Sequence, residues 1–172
     1  MRNSSALRVA WVSLRTLILL NWLSGTAILA LLGATVVAEQ WTFTALGITP
    51  SSGIPSMIMG LRAIALLGLV GIVLNDTVLK RLLSMVDTVR RGDPFVTANA
   101  DRLQAIGWAL LALQLLSLVI AGIGKTISTP DHPLNLDAGF STSGWLAVVL
   151  TFVLARVFAE GALMREDLEG TV

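Results

Sequence analysis

The 172-residue sequence contains no cysteine and no tyrosine, and it has a single histidine. Without cysteine, disulfides, thiolate nucleophiles and cysteine-based metal sites are excluded. Without tyrosine, no phenol can act as an acid or base, and the GxxxxGK[ST], GxSxG and HExxH motifs are absent as well. The single histidine, His132, has only Asp131 and Asp137 nearby, at a spacing that is irregular for a metal site. We therefore expect no enzyme activity, no cofactor and no metal.

Charge is scarce too, at 13% of residues, whereas hydrophobic residues make up 55%. Soluble domains have about 45–50% apolar residues. A helix needs about 20 apolar residues to cross roughly 30 Å of hydrocarbon. Four segments qualify, at 16–38, 54–74, 105–123 and 143–164. The first resembles a signal peptide, but its apolar core exceeds the roughly 7–15 residues of a signal sequence. The sequence thus predicts an all-α membrane protein with four transmembrane helices in a single domain.

The distribution of lysine and arginine predicts the orientation. Arg2, Arg8 and Arg15 precede the first span, whereas the two outer connections, 39–53 and 124–142, contain only Lys125. The middle connection, 75–101, contains Lys80, Arg81, Arg90 and Arg91, and Arg102 follows it directly. Because positive loops stay in the cytoplasm, both termini and the middle connection are predicted to be cytoplasmic, in a bacterial inner membrane.

The second helix is predicted to continue beyond its span. Apolar residues recur at helical spacing, at Leu79, Leu82, Leu83, Val86 and Val89, and basic and polar residues lie away from that stripe. This cytoplasmic amphipathic extension either rests on anionic lipid headgroups or docks a soluble protein. Gly92 and Pro94 then end the helix, and Thr97 or Asn99 is expected to cap the next one.

Charges inside the spans are expensive unless they are paired or reach the interface. Arg62 is expected to extend toward the outer interface, because helical side chains lean toward the N-terminus. Arg156 leans toward the bilayer interior by the same rule and needs a partner. We therefore predict one polar cluster, consisting of Asn21, Asn75, Asp76, Arg156 and Glu160, which either fixes helix register or relays protons or ions. Gln114, in the middle of the third span, is expected to hydrogen-bond a neighbouring helix.

Two stretches resemble a known family. They are Gly92-Asp-Pro-Phe95 with Thr97, Asn99, Arg102, Leu103 and Ile106-Gly-Trp108, and the tail Glu160-Gly-Ala-Leu-Met-Arg-Glu-Asp-Leu-Glu-Gly-Thr-Val172. The chain is similar over essentially its whole length to the bacterial membrane family catalogued as domain of unknown function 2975. Members of that family look like four-helix membrane proteins, and they are often encoded beside a small helix-turn-helix regulator.

The resemblance implies a membrane partner or sensor that holds or modulates a transcription regulator and does not bind nucleic acid directly. The implied contact residues are Arg90, Arg91, Asp93, Phe95, Thr97, Asn99 and Arg102, with Arg165, Glu166, Asp167 and Leu168 of the tail. Two other functions stay open. A transporter or channel would use Arg156, Glu160, Asp76 and Gln114 and would need to oligomerise. A structural or lipid-interacting protein would need neither these polar residues nor the implied contact residues. Formation of a homo-oligomer is open in each case.

Overall fold

The computed structural model describes residues 3–37, 54–128 and 138–169. Four α-helices make up this part of the chain: α1 (Asn3–Val37), α2 (Ile54–Arg90), α3 (Thr97–Ile127) and α4 (Thr142–Glu169). By length and composition, all four are able to cross a membrane, as the sequence predicted. The middle of each helix is a long run of apolar residues. Because water is absent around such a run, its backbone N–H and C=O groups must be paired within the helix itself.

The helices are longer than the predicted spans. Of the middle connection 75–101, only residues 91–96 are non-helical, because α2 continues to Arg90 and α3 begins at Thr97. The second helix is thus continuous to Arg90, whereas its extension beyond the membrane stays a prediction. The connection 39–53 and residues 129–137 of the connection 124–142 lie outside the described residues.

The helices form an open row in chain order. In the described part of the chain, α1 packs against α2, α2 against α3 and α3 against α4, and no other pair of helices makes contact. A closed four-helix bundle would also bring α4 against α1. In the open row, α4 has one helical neighbour, and most apolar side chains face outward. We call the end that carries residues 91–96 the turn end and the opposite end the far end.

Close approaches between neighbouring helices occur at glycines. Gly60 of α2 faces Ile127 of α3, and Gly107 of α3 faces the ring of Phe152 of α4. Small residues allow helix backbones to approach in an apolar environment, where side-chain packing rather than the hydrophobic effect holds helices together. These contacts also set the register of each helix against the next.

The charged side chains that bound the apolar part of the four helices lie at two levels. At the turn end, the level contains Arg15, Arg81, Arg102 and Arg156. Asn21 contacts Asn75, and Arg15 and Arg81 lie the same number of residues beyond these two toward the turn end, so they share one level. By the same argument from the Gly107–Phe152 contact, Arg102 and Arg156 share one level.

At the far end, Arg62 and Lys125 are level, because Gly60 faces Ile127. From Arg62 to Arg81 the helix rises by about 29 Å, at 1.5 Å per residue. That distance equals the thickness of a bilayer's hydrocarbon core, about 30 Å. Between the two levels, the only charged residues of the described helices are Asp76 and Lys80.

The fourth helix does not reach the far-end level. Its first residue follows the non-helical segment 138–141, which lies beside Ser117 of α3, about 12 Å short of Lys125. Gly139, at φ +133°, donates its N–H to Ser117 Oγ at 3.0 Å, and Ser141 Oγ accepts from the N–H of Gly144 at 3.2 Å as a helix N-cap. These bonds pair backbone groups that would be costly to leave unpaired between apolar helices.

We expect Gly60→Ala to destabilise the protein. An added methyl at Gly60 would lie 2.5 Å from Ile127 Cγ2, which forces the two helices apart or shifts the isoleucine. Overpacking of this kind costs about 1–3 kcal/mol, more than the gain in helix propensity, so the midpoint of thermal unfolding in mild detergent should fall by about 2–8 °C. Gly122→Ala is the control, since no described atom lies within 4 Å of its added methyl, and its midpoint should stay level or rise. Equal midpoints for the two variants would contradict the assigned α2–α3 contact.

Candidate functional site

The connection between α2 and α3 is a tightly bonded turn. Gly92 adopts φ +85°, a left-handed conformation that favours glycine, and its N–H donates to the carbonyl of Val89. The N–H of Asp93 donates to the carbonyl of Thr88 at 3.1 Å. Together these two bonds form a Schellman motif, which pairs the last carbonyls of α2. The predicted ending of the second helix at Gly92 is therefore confirmed.

The side chain of Asn99 lies at the centre of this turn and is fully buried, with 0% exposure. Its Nδ2 donates to Thr88 Oγ1 and to the carbonyl of Pro94, both at 2.8 Å, and its Oδ1 accepts from Arg102 at 2.7 Å. One amide thus connects the end of α2, the turn and the first turns of α3. Asn99 organises the turn and does not belong to its exposed surface.

The predicted cap of α3 was wrong. Val96, which has an extended backbone, occupies the N-cap position of α3, and no side-chain hydrogen bond caps the helix there. Asn99 instead donates its own backbone N–H to the carbonyl of Val96 at 2.8 Å, and its side chain is occupied by Thr88 and Pro94. The sequence pattern did not distinguish a capping asparagine from one that bridges two helices.

The turn is attached to the last turns of α4 by one apolar and one ionic contact. The ring of Phe95 lies 5.3 Å from the ring of Phe158, and its edge contacts Gly161, where a side chain would collide with it. Asp93 forms an ion pair with Arg165. Even so, Phe95 retains 44% exposure.

Most of the other predicted contact residues also lie at the turn end. Arg91, Thr97, Arg165 and Asp167 are exposed there, whereas Arg102 is half-buried against Asn99. Arg90 points elsewhere, since its guanidinium lies 5.7 Å from the ring of Trp11 on α1. Glu166 and Leu168 are within α4, but their side chains lie outside the described residues. The structure therefore brings Arg91, Asp93, Phe95, Thr97, Arg165 and Asp167 to one end of the row, and we call these six residues the turn–tail surface.

A second polar cluster joins α1 to α2 between the two charge levels. Asn21 Nδ2 donates to the carbonyl of Ile72 at 3.0 Å, and Asn75 Nδ2 donates to Asn21 Oδ1 at 2.9 Å. Asp76, with 8% exposure, accepts from Trp22 Nε1 at 2.9 Å and pairs with Lys80 at 2.7 Å. Each carboxylate oxygen of Asp76 thus has its own partner, which offsets the cost of placing the charge there.

The structure divides the predicted polar cluster. Asn21, Asn75 and Asp76 meet as expected, but Arg156 and Glu160 lie on α4, which contacts neither α1 nor α2 in the described part of the chain. They pair with each other at 2.8 Å, with side-chain exposures of 77% and 54%. The physical reason is the open row, which places α4 two helices away from α2. The side chain of Arg156 extends toward the turn end rather than toward the interior.

Two further polar residues of the spans differ in their surroundings. Arg62, at the far-end charge level, donates to the carbonyl of Thr35 in the last turn of α1, where unpaired carbonyls attract a cation. Gln114 packs against Gly144 of α4. Sequence reasoning also missed Trp22 and Lys80 as partners of Asp76. The available signal was an indole inside a span, since a buried indole N–H usually finds an acceptor.

Metal-ligand groups are not found among the described residues: no group of three or more His, Cys, Asp or Glu side chains is placed to hold an ion there. His132, Asp131 and Asp137 lie outside the described residues.

We expect Asn99→Asp to destabilise the protein strongly. The carboxylate has nearly the same shape as the amide, but it cannot donate to Thr88 Oγ1 or to the Pro94 carbonyl, and it carries a charge into a fully buried position. Loss of two buried hydrogen bonds costs about 2–4 kcal/mol, which is measurable as a fall in the midpoint of thermal unfolding in detergent. Arg102→Gln removes one contact to the same amide and should cost less than half as much. Similar midpoints for Asn99→Asp and wild type would show that the amide does not hold the turn.

Asp76→Ala should also destabilise, because it leaves the Trp22 N–H without its acceptor and removes the ion-pair partner of Lys80. We expect a cost of about 2–3 kcal/mol in unfolding free energy. Adding Trp22→Phe and Lys80→Met to Asp76→Ala should restore most of this loss, since no polar group is then left unpaired. Additive losses in the triple variant would contradict the assigned contacts.

Comparison with known proteins identifies the family. The family described as "Protein of unknown function (DUF2975)" matches residues 62–172, which contain α3, α4, the turn and nearly all of α2. The match is narrower than the whole-chain similarity expected from the sequence, because α1 lies before it. No curated protein and no solved structure matches the chain. The chain belongs to the family of proteins of unknown function DUF2975.

Proposed function

We propose that this chain is a membrane-embedded partner of a small helix-turn-helix transcription regulator, and that the regulator docks on the turn–tail surface. The class of partner comes from the resemblance described above. The place of contact comes from the geometry of the turn. In this proposal the turn end is cytoplasmic, as the lysine and arginine distribution predicts, and the membrane is the bacterial inner membrane.

The observation that carries the proposal is the environment of Phe95. Its ring is held in place by Phe158 and Gly161, yet 44% of the residue remains exposed among charged neighbours. An aromatic side chain surrounded by polar groups is the usual composition of an energetic centre in protein interfaces. A surface that is already ordered loses little conformational entropy when a partner binds, which favours affinity.

The turn itself is more rigid than a connector requires. Gly92 and Pro94 would suffice to end one helix, but the buried amide of Asn99 additionally fixes the backbone on both sides. The result is a fixed presentation of Arg91, Asp93 and Phe95. Such pre-organisation is typical of surfaces that recognise a partner.

The same contacts offer a route by which the membrane part can influence the surface. Phe95 and Asp93 contact α4 through Phe158, Gly161 and Arg165. Because α4 packs only against α3 in the described structure, a change in its tilt meets little resistance from other helices. A tilt would separate Arg165 from Asp93 and uncover more of Phe95. The regulator would then be held or released according to the position of α4.

The arrangement of the polar residues does not favour a transport pathway within one chain. Asp76 lies between α1 and α2, the Arg156–Glu160 pair lies on the exposed side of α4, and Gln114 lies nearer the far end against Gly144. These groups occupy separate positions instead of lining one route.

The test exchanges the two charges of the ion pair at the turn–tail surface. Asp93→Arg combined with Arg165→Asp keeps an attractive pair between the turn and α4 but reverses the charges that a partner meets. The tagged protein is purified in mild detergent from its bacterial host, and co-purifying proteins are identified by mass spectrometry. We expect wild type to co-purify with a small helix-turn-helix protein. The exchange variant should retain at least about tenfold less of that protein, because juxtaposed like charges cost several kcal/mol.

The matched control exchanges the other ion pair of α4, as Arg156→Glu with Glu160→Arg, and should retain the regulator. Thermal unfolding of each variant verifies that the fold is kept. Retention of the regulator by the Asp93/Arg165 exchange, or its absence from the wild-type preparation, would refute the proposed docking.

A further inference from the structure

Beyond the turn-end charge level, α1 and α2 run side by side, and Trp11 of α1 lies near two guanidinium groups. Arg15 Cζ is 3.9 Å from the centre of the indole ring, and Arg90 Cζ, from α2, is 5.7 Å from it. Both distances are within the range of cation–π attraction. Two helices thus each direct an arginine to one aromatic ring, and we call Trp11, Arg15 and Arg90 the Trp11 cleft.

The positive charge of this cleft is poorly neutralised by the described residues. Arg15 makes no ion pair there, and Arg90 has only Asp87, at 3.9 Å, with both side chains nearly half-exposed. An open depression of about 480 Å³ lies next to Arg90 and is lined by Asp87, Arg90 and Arg91. Since like charges repel, guanidinium groups that converge on one place favour an anion between or beside them.

The level of the cleft matches that of a phospholipid headgroup. Arg15 belongs to the turn-end charge level, about 29 Å from Arg62, and Trp11 is one helical turn further out. Indole rings prefer this interfacial region of a bilayer. The exposed apolar side chain of Leu19 lies one helical turn from Arg15, in the charge-free part of α1. A lipid whose phosphate binds at Arg15 would therefore find apolar surface for its acyl chains.

We propose that the Trp11 cleft binds the phosphate group of an anionic phospholipid. Arginine binds phosphate through paired N–H donors, and basic pockets between membrane helices bind anionic headgroups. A headgroup with a net negative charge binds better than a zwitterionic one, whose ammonium group is repelled by the second arginine. The three residues of the cleft do not belong to the turn–tail surface, although Arg91 of that surface lines the depression next to Arg90. Binding at the cleft does not require the proposed regulator.

The experiment measures lipid retention by the purified full-length protein. Native mass spectra are recorded in mild detergent with equal amounts of dioleoylphosphatidylglycerol and dioleoylphosphatidylcholine. Wild type should retain the phosphatidylglycerol at least about fivefold more than the phosphatidylcholine. Arg15→Gln with Arg90→Gln should reduce that ratio to near one, and the control Lys125→Gln with Arg156→Gln, which removes the same net charge elsewhere, should leave it unchanged.

A second variant, Arg15→Lys with Arg90→Lys, keeps both positive charges and serves if the glutamine variant does not fold. It should lower the ratio of retained phosphatidylglycerol to phosphatidylcholine by at least about twofold, because lysine lacks the paired N–H donors of arginine. A ratio that persists in both cleft variants would overturn the proposal, and so would an equal loss in the Lys125/Arg156 control. Displacement of the bound lipid by millimolar inorganic phosphate would assign the site to free phosphate and would also overturn it.

Discussion

The fold depends on one constraint: polar backbone and charged groups cannot remain unpaired in the apolar part of the structure. Four continuous helices pair their backbone N–H and C=O groups internally. Arginines and a lysine lie at two levels about 29 Å apart, on either side of the apolar part. The exception, Asp76, has a partner for each carboxylate oxygen. The non-helical segment 138–141, which lies inside the far-end level, is paired through Ser117 and Ser141. Asp76 and the segment 138–141 therefore have specific partners on neighbouring helices, whereas the buried Nε1 of Trp145 and Nε of Arg62 have none among the described residues.

Much of this could be predicted from the sequence, because hydropathy and charge report position along the membrane normal. That information gave the number of spans, the continuation of α2 and the meeting of Asn21, Asn75 and Asp76. It does not report which helix lies beside which. Arg156 and Glu160 were therefore grouped with residues on the other edge of the row. The burial of Asn99 was missed for a related reason, since an asparagine near a helix start has the same local pattern whether it caps its own helix or bonds to another.

The two ends of the open row are held by different kinds of contact. The pair α1–α2 is joined by hydrogen bonds from Asn21, Asn75 and Trp22 and by the contact of Arg62 with the last turn of α1. In contrast, α4 is held by packing against α3 and by its contacts to the turn. Its own ion pair, between Arg156 and Glu160, lies on the exposed side and contributes little to that packing. A shift of α4 would therefore disturb mainly packing contacts with α3 and the Asp93–Arg165 pair rather than polar bonds between helices.

The two proposed surfaces lie toward different ends of the row: the Trp11 cleft is formed by α1 and α2, and the turn–tail surface is formed by the turn and α4. Arg90 and Arg91 are consecutive, yet Arg90 lies against Trp11 on α1, whereas Arg91 belongs to the turn that contacts α4. A lipid bound at the Trp11 cleft would add a further connection between α1 and the end of α2, in the part of the row that is already firmly joined. The turn would then be anchored on its α2 side and free to respond on its α4 side. Movement of α4 would consequently change the contacts of Phe95 and Asp93 rather than displace the whole turn, which is the condition for a local rearrangement to alter a docking surface.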